Sequence, residues 1–184
     1  MANATVTLAA MRSTASYPPQ LPHTDMAQHL LGYVRHYHAD LERQLSLVSN
    51  IHEPLTPSGW SAAELAIHIF HMERRWILWG FHGKVLPDVW NDWHDGRPGT
   101  RWFAPTVTRA DAVDKLAQNL NMFETTLREH DLSEPAATSG KFQESDPPQL
   151  SWIMLHIIDE LARHLGQLDV ALEIQCDSQG LNPT

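Results

Sequence analysis

The sequence predicts an all-α protein, a four-helix bundle with a long loop between its second and third helices. Three observations lead there. Four amphipathic segments of about 20 to 27 residues repeat apolar side chains at spacings of three and four. No stretch alternates apolar and polar residues as a half-buried strand would. The segments are separated by runs rich in Pro, Gly and Asp, which end helices.

The first helix is expected from Thr24 to Ser49, with Leu30, Leu31, Val34, Tyr37, Leu41, Leu45 and Val48 on one face. The second opens at Ser61, where S-A-A-E forms a capping box through Glu64, and continues to Phe81. The third opens at Thr108, where T-R-A-D offers the same cap with Asp111 in place of Glu, and turns Val113, Leu116, Leu120, Phe123 and Leu127 inward. The fourth runs from Leu150 to Gln175. Between the second and third lie residues 82–107, long for a connection in a compact domain and therefore expected to serve a function. This loop holds Trp90, Trp93, Trp102 and Phe103, whose exposure to water would cost free energy. They are expected to fold back over the bundle, either as a plug or as a lid over a substrate.

A chain of 184 residues fits one domain with a full core. Residues 24–176 form the expected bundle, flanked by a flexible tail over 1–23 and a short one over 177–184. With 42% hydrophobic and 19% charged residues, the chain can bury enough apolar surface to fold as a soluble globule. The formal charge of -9 argues against a nucleic-acid partner, which would need a clustered basic surface. Cys176 is the sole cysteine, so an internal disulfide and a thiolate zinc site are both excluded. No window approaches the roughly 18 apolar residues of a membrane span, and the N-terminus lacks the pattern of a secretory signal. A cytoplasmic location is expected.

Chemistry is concentrated in HIIDELARHLGQ, residues 156–167 of the fourth helix. On a helical wheel His164 falls about 40° and Glu160 about 80° from the apolar centre defined by Leu150, Ile157, Leu161, Leu168 and Leu172. Residues four apart share one patch of surface, so the two polar heads meet just inside the bundle. An unpaired carboxylate there is costly, whereas a divalent cation compensates it. A hydrogen bond between Glu160 and His164 at the helix edge is the simpler alternative. On the second helix, His68 lies beside the stripe of Leu65, Met72, Trp76 and Trp79. Two imidazoles and one carboxylate suit zinc, with a fourth position left open. His71 and His156 lie one turn from these positions, as further ligands, neighbours or surface residues.

The segments TPSGWSAAELAIHIFHMERRW (56–76) and LSWIMLHIIDELARHLGQLDVALE (150–173) resemble the second and fourth helices of the DinB/YfiT-like superfamily. They are most similar to its branch of mycothiol S-transferases and mycothiol-dependent maleylpyruvate isomerase. That resemblance implies a metal site of His68, Glu160 and His164, holding zinc or nickel. It also implies mycothiol or a related low-molecular-weight thiol as co-substrate, and a homodimer formed through helix faces. Many members of the branch carry His where this chain has Gln167.

The activity so implied is the metal-dependent addition of a thiol to an electrophilic small molecule. A metal-held thiolate is a competent nucleophile without any protein cysteine. A thiol-dependent cis/trans isomerase, a metal-dependent hydrolase and a non-enzymatic, stress-associated metal-binding bundle remain alternatives. His71, Arg75, Trp93 and Gln167 are the residues expected to contact the thiol or the electrophile.

Overall fold

Helices α1 (Met26–Leu47), α2 (Ala62–Arg74), α3 (Arg109–Glu129) and α4 (Leu150–Ser178) make up the frame in a computed structural model that describes residues 25–104, 106–143 and 145–178. The tail expected over 1–23 lies outside these residues, as do positions 179–184 of the C-terminal one. No strand occurs among the described residues, so the bundle is all-α.

Local sequence fixes where the helices start. Asp25 accepts from the backbone N–H groups of Ala27 and Gln28 at 3.0 and 3.4 Å, capping α1 one residue later than Thr24. Both halves of the Ser61/Glu64 box form at α2, and both halves of the Thr108/Asp111 box form at α3. Each cap satisfies amide donors that no helix can pair internally, and contributes about 1 kcal/mol. The second helix reaches Phe81 as expected, but Arg75–Phe81 are wound as a π-helix, with His82 N–H donating to the Ile77 carbonyl at 2.9 Å. The wider turn shifts the phase of the side chains that follow. Helix α4 continues to Ser178, a few residues beyond the expected end.

Helices α1 and α2 each pack between α3 and α4. The shared core is the apolar face of α4, where Leu150, Ile153, Met154, Ile157, Leu161 and Leu168 are wholly buried. Val34, Leu41 and Leu45 of α1, Leu65 and Ile69 of α2 and Phe123 of α3 meet them. Each such side chain contributes roughly 1.5–3 kcal/mol by leaving water.

Helix α3 departs from its expected inward face. Leu116, Phe123 and Leu127 are buried, but Leu120 is only partly so and Asn119 is buried in its stead. Asn119 Nδ2 donates to Glu73 Oε2 at 2.6 Å and to the Phe70 carbonyl at 3.0 Å. On its other side Glu73 lies 2.7 Å from His38 Nε2, so one wholly buried carboxyl joins α1, α2 and α3. A polar partner won this position because Glu73 Oε2 would otherwise be buried without a donor.

The loop over 82–107 folds back on α2. His94 N–H donates to the Arg101 carbonyl at 2.8 Å and Phe103 N–H to the Asp92 carbonyl at 2.9 Å, a hairpin-like turn that sets Trp93 beside Trp102. Trp90 packs against Trp79, whereas Phe103 remains 42% exposed and does not join the plug. Where the loop leaves α2 it crosses residues 137–141. Gly83 (φ +63°) and Gly140 (φ +72°) permit the crossing, since a Cβ on Gly140 would stand 2.3 Å from the Trp79 carbonyl oxygen. Among the described residues no helix is long and apolar enough to cross a membrane.

Candidate metal centre

The stripe that buries Leu65 and Met72 carries His68 toward α4, and the stripe that buries Ile157 and Leu161 carries His164 toward α2. The two imidazoles meet with ring centroids 5.0 Å apart and planes at 82°. Both rings are buried.

Their hydrogen bonds decide which nitrogen keeps the lone pair. His68 Nδ1 lies 2.7 Å from Asp92 Oδ2. An ionised carboxylate only accepts, so His68 Nδ1 carries a proton, and whenever the ring is neutral its lone pair lies on Nε2. His164 Nδ1 lies 3.2 Å from Gln167 Oε1, likewise an acceptor, which leaves the His164 lone pair on Nε2. That Nε2 is buried and has no hydrogen-bond partner. Burial, and then the neighbouring His68, hold the His164 imidazole below the ordinary histidine range, so it is neutral at pH 7.

Asp92 is wholly buried and receives two further hydrogen bonds from Arg75, at 2.6 and 2.9 Å. Burial raises an isolated carboxyl, but the hydrogen bonds from His68 and Arg75 outweigh it and Asp92 lies below its usual range.

Glu160 is partly exposed and stands between two histidines on its own helix. Its Oε2 is 3.5 Å from His164 Nε2 and its Oε1 3.7 Å from His156 Nε2. Both separations exceed a normal hydrogen bond, so the carboxylate is committed to neither. Among the described residues no group of three or more His, Cys, Asp or Glu side chains is arranged to hold a metal ion. His164 thus lies beside both His68 and Glu160, but the three do not close around one point. The donor types nonetheless fit a divalent cation, because the unpartnered His164 Nε2 is a buried acceptor that a cation would satisfy.

A family profile described as mycothiol-S-transferase matches residues 29–174, well over half of the 184-residue chain. The chain belongs to the mycothiol-S-transferase family. Neither a curated protein nor a solved structure matches it.

In this member of the mycothiol-S-transferase family the aromatic loop forms one wall of the site. Trp102 stacks on His68 with centroids 4.4 Å apart and planes at 22°, and Trp93 meets the same ring edge-on at 5.5 Å. Trp102 and Gln167 also border an open cleft of about 690 Å³, lined further by Thr56, Trp60, Arg163 and Val170. A neighbouring hollow of about 380 Å³ lies between Trp60, Trp93 and Trp102. Neither recess is lined by the histidines themselves; they meet the pair through Trp102, Trp93 and Gln167, the first with Arg163 and Gln167 in its wall and the second with three indoles beside Ser58, Thr100 and Arg101.

The four residues expected to contact small molecules separate in this family member. Gln167 and Trp93 stand at the histidine pair. Arg75 has both terminal nitrogens engaged with Asp92 and a further bond to the Val89 carbonyl at 3.0 Å, so its guanidinium serves the interior. His71 faces away, into a different hollow with Phe70, Arg74 and Lys115, and burial pushes its pKa down to about 4. Sequence reasoning missed Asp92 and Trp60. The only signal for Asp92 was an acidic residue set between tryptophans in W-N-D-W, which has no periodicity to place it on a face.

Proposed function

We propose that the protein is a divalent-metal-dependent thiol S-transferase that adds mycothiol to an electrophilic small molecule, with His68, Glu160 and His164 as the metal ligands. The observation that carries this reading is the buried, unpartnered Nε2 of His164 beside an imidazole whose own lone pair is also directed by its hydrogen bond to Nε2. Two imidazole acceptors cannot satisfy each other, whereas a cation drawing in the Glu160 carboxylate would use all three. Family membership supports the thiol as the co-substrate.

A bound divalent cation would supply a Lewis acid that holds a thiol as thiolate at neutral pH. The chain's own residues supply the rest. Asp92 and Gln167 orient the two imidazoles through their Nδ1–H groups. Glu160, loosely held between His156 and His164, is free to turn its carboxylate inward and offset positive charge. Trp102 and Trp93 shield one side of the His68 ring from water. The recess bordered by Gln167 and Arg163 offers polar contacts to the hydroxyls of a sugar-bearing thiol, and the hollow between Trp60, Trp93 and Trp102 suits an apolar electrophile.

The test is conjugation of mycothiol to a fluorogenic electrophile such as monochlorobimane, with zinc-loaded and chelator-stripped protein. Conjugation by the loaded form alone is expected. Equal rates with and without metal, or no conjugation by the loaded protein across a panel of electrophiles, would refute the proposal.

A further inference from the structure

We infer that Asp92 is a positioning residue for His68, and that the loop over 82–107 must lie closed on α2 for His68 to keep its lone pair on Nε2. This role deepens the proposed metal-dependent reading and rests on it only where metal affinity is concerned.

The geometry is over-determined. Asp92 is the one buried charged residue that the described part of this loop contributes. Its side chain takes hydrogen bonds from His68 at 2.7 Å and from Arg75 at 2.6 and 2.9 Å. Its carbonyl accepts from Phe103 N–H at 2.9 Å, so the hairpin that carries Trp93 and Trp102 hangs on the same residue. Arg75 in turn bonds the Val89 carbonyl and lies over the Trp90 ring at 4.7 Å. Arg75 belongs to the π-wound end of the second helix and Asp92 to the loop, and two parallel N–H···O bonds lock one to the other.

The chemical consequence concerns a proton's address. With an acceptor-only carboxylate at Nδ1, the neutral ring has one arrangement left, Nδ1–H with the lone pair on Nε2. If the loop opened, Asp92 would leave with it, and Nδ1 would lose the acceptor that dictates this tautomer. The ring would then be free to place its proton on Nε2, where it blocks coordination. Loop closure and ligand competence are in this way the same event.

The experiment begins with the full-length, metal-free protein, using ¹⁵N NMR of the histidine rings. His68 is expected to carry its proton on Nδ1. A wild-type His68 protonated on Nε2 overturns the inference without any variant. Asp92→Asn, nearly isosteric but able to donate as well as accept, is then expected to give mixed tautomers at His68. It should also bind zinc ~10–100-fold more weakly in a chelator competition, with the helical circular dichroism unchanged. A folded Asp92→Asn protein with wild-type tautomer and wild-type zinc affinity likewise overturns it. Should the wild type bind no zinc at all, the proposed function falls, while the tautomer measurement still decides the role of Asp92. If Asp92→Asn fails to fold, the wild-type spectrum alone decides between the two tautomers.

Discussion

The imidazoles of His68 and His164, 96 positions apart in the chain, lie with centroids 5.0 Å apart and planes at 82°, each with its Nδ1 beside an oxygen acceptor. Neither acceptor comes from the partner ring, so each ring is oriented from outside the pair.

Replacing any of His68, Glu160 or His164 by alanine should remove stoichiometric metal while the bundle stays folded, as read by elemental analysis beside circular dichroism. Glu160→Gln keeps the shape and removes the charge, and should weaken zinc by at least about tenfold. Full metal content in all three alanine variants would show that the ligands lie elsewhere.

Zinc affinity should fall as pH drops, because protons compete for the imidazole nitrogens. The depressed His164 pKa makes this ring a weak competitor for protons, so its share of the loss comes below the ordinary histidine range. Binding that stays constant from pH 8 to 5 would contradict histidine ligation.

Stability without metal should also depend on pH, chiefly through His71. Its pKa is about 4 in the folded protein against an ordinary value of 6.5, so the unfolded chain binds the extra proton first. The native state is therefore stabilised while the ring is neutral, and that stabilisation is lost as pH falls from 6.5 toward 4, by on the order of 2–3 kcal/mol. Urea titrations across that range should show the slope, and His71→Phe should flatten it.

Glu73→Ala leaves His38 and Asn119 without their shared acceptor in the interior, and should cost about 2–5 kcal/mol in urea unfolding. A loss under about 1 kcal/mol would mean that water or repacking replaces the network.

Gly140→Ala places a Cβ against the Trp79 carbonyl at a backbone angle L side chains avoid, and should cost about 2–4 kcal/mol. Gly59→Ala is the control. It has the same sign of φ and nothing within 4 Å of the added atom, so only the backbone contribution of about 1 kcal/mol remains.

What the sequence makes legible here is what short spacings control. Ser61 with Glu64 and Thr108 with Asp111 cap their helices because each pair acts across one turn, and Glu160 with His164 share a surface for the same reason. His68 is readable as a polar residue on a buried stripe, and it does reach His164. Asp92 is not readable, because its partners lie 17 and 24 positions away and a loop has no repeat to orient it. Asn119 displaces Leu120 from the inward face for a reason seen only in space, the need of Glu73 for a donor. Arg75 is expected from the sequence to contact a small molecule, whereas the π-wound segment that begins with it holds its guanidinium against Asp92.

Trp102, stacked on His68, gives the site an optical reporter. An indole in face contact with an imidazole responds in its emission to any charge that ring gains, whether a proton or a cation. Seven tryptophans crowd the total spectrum, but the difference between wild type and Trp102→Phe isolates this one. Protonation of this ring, or a cation arriving at the proposed centre, can then be followed in solution, without a label and on the time scale of mixing.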